Sequence, residues 1–178
     1  MARGESSREK ILTAASELAM SDGAAHLSLD AVAARAGVSK GGLLYNFPNK
    51  AALMRALVER FLDEFRAELD EKADRLQGND LAARYMDQLV RTLDEKSPPS
   101  SGLLAALAED PCLLAPVKTF NRELLDRMLQ ETPDPGAVLT LFLVLEGLRA
   151  QQVFGTDILG EEERRLVLDK IASMIGAA

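Results

Sequence analysis

Apolar residues recur at three- and four-residue intervals along almost the whole chain, the spacing of one helical face. The first such face, Ile11, Leu12, Ala15 and Leu18, follows the capping box Ser6-x-x-Glu9 and stops at Asp22-Gly23. The second, Leu29, Val32, Ala33 and Ala36, is short and starts behind Ser28, a residue type that caps helices well. Gly37 then sits where a helix needs a left-handed exit, a conformation that costs glycine little. Ser39 caps the next helix, and Leu43 and Phe47 hold it against the one before. Ala33 and Ala36 are small where those two helices must approach closely. Pro48 ends the run, because the residue before a proline is pushed out of the α region.

Beyond Pro48 the pattern predicts longer helices. One begins near Asn49 and runs to about Leu76, with Leu53, Leu57, Phe61, Phe65 and Leu69 on one side. Gly78 ends it, and Asn79 or Asp80 caps a helix carrying Leu81, Tyr85, Met86, Leu89 and Leu93. Ser97–Gly102 is the main break. A short apolar helix over Leu103–Ala108 follows, then a turn at Asp110-Pro111 and a helix from about Pro116 to Leu129. Thr132–Gly136 is a second break, in which Asp134 and Pro135 read as an N-cap and a first-turn proline. The helix they open runs to about Phe154. The last, Glu161 to Ile175, has three acids in its first turn, where the helix dipole favours them. The expected fold is therefore all-α, with about nine helices, no strand and no internal repeat.

The segment from Leu27 to Lys50 reads as a helix-turn-helix. From Ala31 to Lys50 it carries three cations, Arg35, Lys40 and Lys50, and no acid. The first turn of its second helix presents Ser39, Lys40, Gly41 and Gly42, small or basic groups that let a helix N-terminus approach a phosphate backbone. A solvated surface helix that merely lacks acids is the alternative. Net charge decides little until it is divided. The 178 residues sum to −7, which by itself argues against nucleic acid. Residues 1–50, however, carry six Lys+Arg and five Asp+Glu, a net of +1, while the remainder carries fifteen and twenty-three, a net of −8.

The stretch GVSKGGLLYNFPNKAAL resembles the recognition helix and following helix start of the TetR family of bacterial transcriptional regulators, commonly GVSKGTLYxHFxSKxxL. The resemblance extends upstream through REKILTAASELAMSDGAAHLSLDAVAARA and covers about the first 55 residues. It implies a three-helix DNA-binding head over residues 1–50 and a helical ligand-binding and dimerisation domain over residues 51–178. It also implies a dimer whose two recognition helices enter successive major grooves of a near-palindromic operator on double-stranded DNA. The candidate DNA contacts are Ser28, Ser39, Lys40, Gly41, Gly42, Leu44, Tyr45, Asn46 and Lys50. Three of them depart from the family pattern: Gly42 stands where Thr is frequent, Leu44 where Tyr is, and Asn46 where His is. Tyr45 remains as an aromatic contact to phosphate or base.

The penultimate helix, GAVLTLFLVLEGLRAQQVFG, is apolar nearly all round, so two of its faces need cover. Leu143, Gly147, Ala150 and Phe154 form a stripe with small residues at its centre, and Leu168, Ile171 and Ile175 add a face on the last helix. A symmetric homodimer built on these two helices covers both, in keeping with the four-helix interface of the family; burial within a monomer core is the alternative. Glu146, an acid inside LFLVLEGL, either pairs with Arg149 at i+3 or orients a ligand in an apolar cavity. Phe61, Phe65, Tyr85, Met86, Leu89, Leu107, Phe120, Leu124, Met128 and Phe142 either line that cavity or are plain core. The expected effector is a mainly apolar small molecule, and the expected response is release of DNA.

The remaining chemistry is sparse. The single cysteine, Cys112, excludes an intramolecular disulfide and suits a reducing cytoplasm, where the protein is expected to act. The N-terminus lacks an apolar signal core, and the longest uncharged apolar run, Gly136–Leu145, is too short to span a bilayer, so no membrane partner is expected. His26, the one histidine, reads as a solvated linker residue. One His, one Cys, no glycine-rich phosphate loop and no H-E-x-x-H leave nothing from which to assemble a nucleophile–base pair or metal site in the C-terminal part. No cofactor, metal or catalytic activity is expected.

Overall fold

Caps decide where the short N-terminal helices begin, and the computed structural model places them where serine and asparagine stand. It describes residues 6–22, 27–75, 81–94 and 114–176, which form eight helices and, among the described residues, no strand. The helix α1, Ser7–Asp22, starts with the Ser6 hydroxyl accepting from the Glu9 N–H at 3.2 Å. In α2, Leu29–Ala36, Ser28 Oγ accepts from the Ala31 N–H at 3.1 Å. Gly37 leaves that helix at φ 66°, and the Val38 N–H returns to the Ala33 carbonyl at 3.0 Å, closing the last turn. Ser39 Oγ accepts from the Gly42 N–H at 3.1 Å to open α3, Lys40–Asn46, which Phe47 ends in extended backbone before Pro48. Asn49 Oδ1 accepts from the Ala52 N–H at 2.8 Å at the start of α4, Lys50–Arg75.

The later helices are α5, Leu81–Asp94; α6, Ala115–Glu131; α7, Pro135–Phe154; and α8, Glu161–Met174. Asp134 caps α7 by accepting from the Ala137 N–H at 3.0 Å, with Pro135 in the first turn. At α8 the Glu163 carboxylate accepts from the Gly160 N–H at 2.8 Å. Each expected boundary that falls on described residues lies within one or two positions of the observed one. The stop at Gly23, His26, the Gly78–Asp80 signals, the break over Ser97–Gly102, the short helix over Leu103–Ala108 with Leu107, the Asp110-Pro111 turn and Cys112 lie outside the described residues.

The chain divides into two compact units, residues 1–63 with 99–117, and residues 64–98 with 118–178. In the first, α1, α2 and α3 pack on one another and on the N-terminal part of α4 around Ile11, Leu12, Val32, Leu43, Phe47 and Leu53. Leu43 has no solvent exposure, which locks α3 onto the other two helices. In the second, α5 packs against α7 and α7 against α8, around Tyr85, Leu89, Leu141, Leu145 and Ile171. Side chains satisfy the exposed ends of α5: Glu131 Oε2 accepts from the Leu81 N–H at 3.2 Å, and Gln152 Nε2 donates to the Leu93 carbonyl at 3.0 Å.

Helix α7 is longer than the apolar run seen in sequence, since it continues through Glu146 and Arg149. By length and composition it is the one helix among the described residues that could cross a bilayer. Its Ala137, Val138, Leu141, Phe142, Leu145 and Leu148 face is nonetheless buried within its own unit.

Candidate DNA interface and effector site

In α3 the alternation of inward and outward positions separates packing from presentation. Leu43 and Phe47 face the core, while Lys40 and Gly41 are exposed, and Leu44 and Tyr45 point outward. Tyr45 is 90% exposed, so its ring serves no packing purpose within the chain. Asn46 Nδ2 turns back to the Gly42 carbonyl at 2.9 Å. A Cβ at Gly41 would meet nothing nearer than Ser39 Oγ at 4.0 Å, so the chain itself does not require glycine there. Glycine there leaves the head of α3 open to close approach. Ser28 and Ser39 use their oxygens as caps, accepting from the Ala31 and Gly42 N–H groups. Lys50 is exposed in the first turn of α4.

Lys40 and Arg35 each meet an acid from another helix, which periodicity alone does not reveal. Lys40 Nζ lies 2.8 Å from Asp30 Oδ1, and Arg35 NH1 lies 2.9 Å from Glu17 Oε2. Asp30 stands immediately before the acid-free segment and Glu17 on α1, and the packing of α1, α2 and α3 brings both acids to it.

The second unit holds a carboxylate among aromatic rings. The Tyr85 hydroxyl donates to Glu146 Oε1 at 2.6 Å, while Asn121 Nδ2, at 3.2 Å, and Arg149, at 2.6 Å, donate to Oε2. Tyr85 stacks on Phe142 at 5.6 Å and meets Phe65 edge-on at 6.2 Å; Phe65 in turn meets Phe120 edge-on at 5.9 Å. Burial first, and then the neighbouring Glu146 charge, hold the Tyr85 phenol well above its ordinary range, with Arg149 acting in the other direction. The phenol therefore stays protonated and remains a donor to Glu146. Of the expected effector-site residues, Phe65, Tyr85, Phe120, Phe142 and Glu146 come together in this cluster. Leu89, Leu124 and Met128 are buried in the same unit and Met86 partly so, whereas Phe61 packs against the core of the first unit. Asn121 went unnoticed in sequence because nothing local marks a neutral amide on α6 as the partner of an acid 25 residues later.

The expected interface stripe lies on the surface of α7. Leu143 is 70% and Phe154 61% exposed, with Gly147 and Ala150 exposed between them. Ile158 and Leu166 extend this apolar surface past the end of α7 and onto α8. Leu168 and Ile175 are half-buried, and Ile171 belongs to the core of its own unit.

Sequence comparison divides the chain in the same order as these features. The family model described as bacterial regulatory proteins, tetR family, matches residues 11–57, and that of the tetracyclin repressor-like C-terminal domain matches residues 79–176. The chain belongs to the TetR family. Its solved relatives in fold include a candidate transcriptional regulator from Streptomyces coelicolor A3(2), 28% identical with a TM-score of 0.72 over 95% of this chain and 98% of that one. A second TetR-family member from Streptomyces coelicolor A3 is 26% identical with a TM-score of 0.69, covering 94% and 98%. The multidrug binding protein EbrR in complex with ethidium is 25% identical with a TM-score of 0.72, covering 93% and 98%. Among curated proteins, none matches this chain. As a TetR-family protein it is a DNA-binding transcriptional regulator, and its family domains point to regulation rather than to enzymatic catalysis.

Proposed function

We propose that this TetR-family protein is a cytoplasmic repressor that binds a near-palindromic operator as a homodimer and lets go when a small, mainly apolar effector occupies its C-terminal domain. Residues 1–50 act as the DNA-binding head and residues 51–178 as the dimerisation and effector domain. Double-stranded DNA is met by Lys40, Lys50, Tyr45 and the small residues at the start of α3, with Ser28, Ser39, Leu44 and Asn46 beside them. The observation that carries the effector reading is Glu146, an acid bonded to Tyr85, whose ring stacks on Phe142 and meets Phe65 edge-on. An aromatic surround supplies apolar contact and the carboxylate supplies a charge, a combination suited to a flat organic cation. The similarity to EbrR, solved with ethidium, supports the same class.

For DNA release the effector must bind the two states of the protein unequally, and a hundredfold release needs about 2.7 kcal/mol of differential affinity. The test has two parts: a gel shift of the purified protein on its own upstream DNA, and a fluorescence titration of the DNA-free protein with ethidium, which intercalates into duplex DNA and is therefore read without it. Glu146→Gln is expected to leave DNA binding unchanged and to weaken ethidium binding to the DNA-free protein about tenfold or more. Equal ethidium affinities of the two proteins would remove Glu146 from the effector site. A second reading draws on the completeness of the Glu146 hydrogen bonds, which suit a structural role in a regulator that has no small-molecule effector. Under it, ethidium does not bind the DNA-free protein.

Lys50 provides the test of the interface itself. Lys50→Ala is expected to weaken binding to operator and unrelated DNA by similar factors and to reduce the salt slope by about one unit. An unchanged affinity and slope would show that this face does not meet DNA.

A further inference from the structure

The cation at the head of α3 is already engaged when DNA arrives. Lys40 Nζ lies 2.8 Å from Asp30 Oδ1 and 3.2 Å from Asp30 Oδ2, so both carboxylate oxygens face the ammonium. Asp30 stands in the first turn of α2, next to the residues that Ser28 caps, and Lys40 is the first residue of α3. The turn at Gly37 brings the starts of the two helices side by side, and this turn geometry sets the pairing. Both side chains are largely exposed, 62% for Lys40 and 71% for Asp30, so charge holds the pair and burial does not.

An acid in this position acts on an incoming phosphate in two ways. It occupies the ammonium that the phosphate would neutralise, and once displaced it remains close by with a like charge. The pair as a whole is neutral, so Lys40 cannot deliver its full share of counterion release while Asp30 keeps its charge. We propose that Asp30 competes with the DNA backbone for Lys40 and so lowers the affinity of this protein for DNA of any sequence. The inference rests on the reading of Lys40 as a backbone contact. Because that contact carries no base information, the competition holds down binding to operator and unrelated DNA alike. It sets the overall affinity for DNA and leaves the preference for operator unchanged.

Exposed ion pairs of this kind carry modest energies, so the expected change is about two- to fivefold in affinity. The experiment is fluorescence anisotropy of the full-length protein with a duplex carrying its upstream region and with an unrelated duplex, over a series of salt concentrations. Asp30→Asn is expected to bind both duplexes two- to fivefold more tightly at low salt, with a salt slope steeper by up to about one unit. Lys40→Ala should cost more affinity in the Asp30→Asn background than in the parent, since there the lysine is released to the phosphate. Asp126→Asn makes the same change of charge in the second unit, where Asp126 pairs with Arg122, and should leave both duplex affinities unchanged. Parental affinity and slope in Asp30→Asn, weaker binding by it, or an equal cost of Lys40→Ala in both backgrounds would overturn the proposal. If Lys40→Ala in the parent changes neither affinity nor slope, the reading of Lys40 as a contact falls first, and the proposal with it.

Discussion

Gly147→Leu is expected to leave the single chain at least as stable as the parent while splitting the proposed homodimer. A Cβ at Gly147 would meet no heavy atom within 4 Å, and the position is exposed in the middle of α7. Among the described residues the first atom of the new side chain therefore meets no neighbour. Replacing a mid-helix glycine with a good helix former should even help the helix, by up to about 1 kcal/mol. A second molecule packed against this exposed face would feel the added side chain. Overpacking a close helix contact costs about 1–3 kcal/mol, and a symmetric interface meets the change twice, so dimer affinity should fall by roughly a hundredfold or more. Thermal unfolding and sedimentation velocity separate the two effects. DNA affinity should drop together with the dimer, because one half-site alone binds weakly. A parent that sediments as a monomer at micromolar concentration, or a variant that still dimerises normally, would show that Leu143, Gly147, Ala150 and Phe154 face something other than a second copy.

Leu43→Ala is expected to destabilise the DNA-binding head by about 2–5 kcal/mol, the range for emptying a fully buried leucine site. The next residue gives the contrast. Leu44 is 37% exposed on the opposite side of α3, and Leu44→Ala should change stability by no more than about 0.5 kcal/mol. Thermal melts of the two variants, read beside DNA binding, distinguish packing from contact. Leu43→Ala should lose DNA binding through loss of the head's structure, and Leu44→Ala only through loss of a contact. Equal melting of Leu43→Ala and the parent would show that α3 is not held by Leu43.

What could be read from the residues is what short-range forces determine. Ser28, Ser39 and Asp134 each satisfy an N–H three residues ahead, and Gly37 takes the left-handed exit within the same turn. Such interactions need no partner from elsewhere in the chain, so the boundaries of α2, α3 and α7 were legible, as was the division of α3 into a buried and an exposed side. The helix-turn-helix was legible in the same local signals, and the family pattern in GVSKGGLLYNFPNKAAL added the regulator class.

The electrostatic detail of both candidate sites was out of reach, because each partner comes from a different helix. Asp30 meets Lys40 across a glycine turn, Glu17 meets Arg35 across 18 residues, and Tyr85 meets Glu146 across 61. Periodicity reports which residues share a face of one helix, not which foreign side chain lies opposite it. The i+3 pairing of Glu146 with Arg149 was foreseen because it is local, and its partners Tyr85 and Asn121 were beyond sequence reasoning. Helix α7 shows the same division of labour. Its composition is apolar on every side, so the sequence by itself determined that it needs cover on more than one face. Only the packing against α5 and α8 decided that Leu141, Leu145 and Leu148 go inward, and that Leu143 and Phe154 stay on the surface. The pattern of a helix specifies how much apolar surface must leave water, and the arrangement of its neighbours specifies which part does.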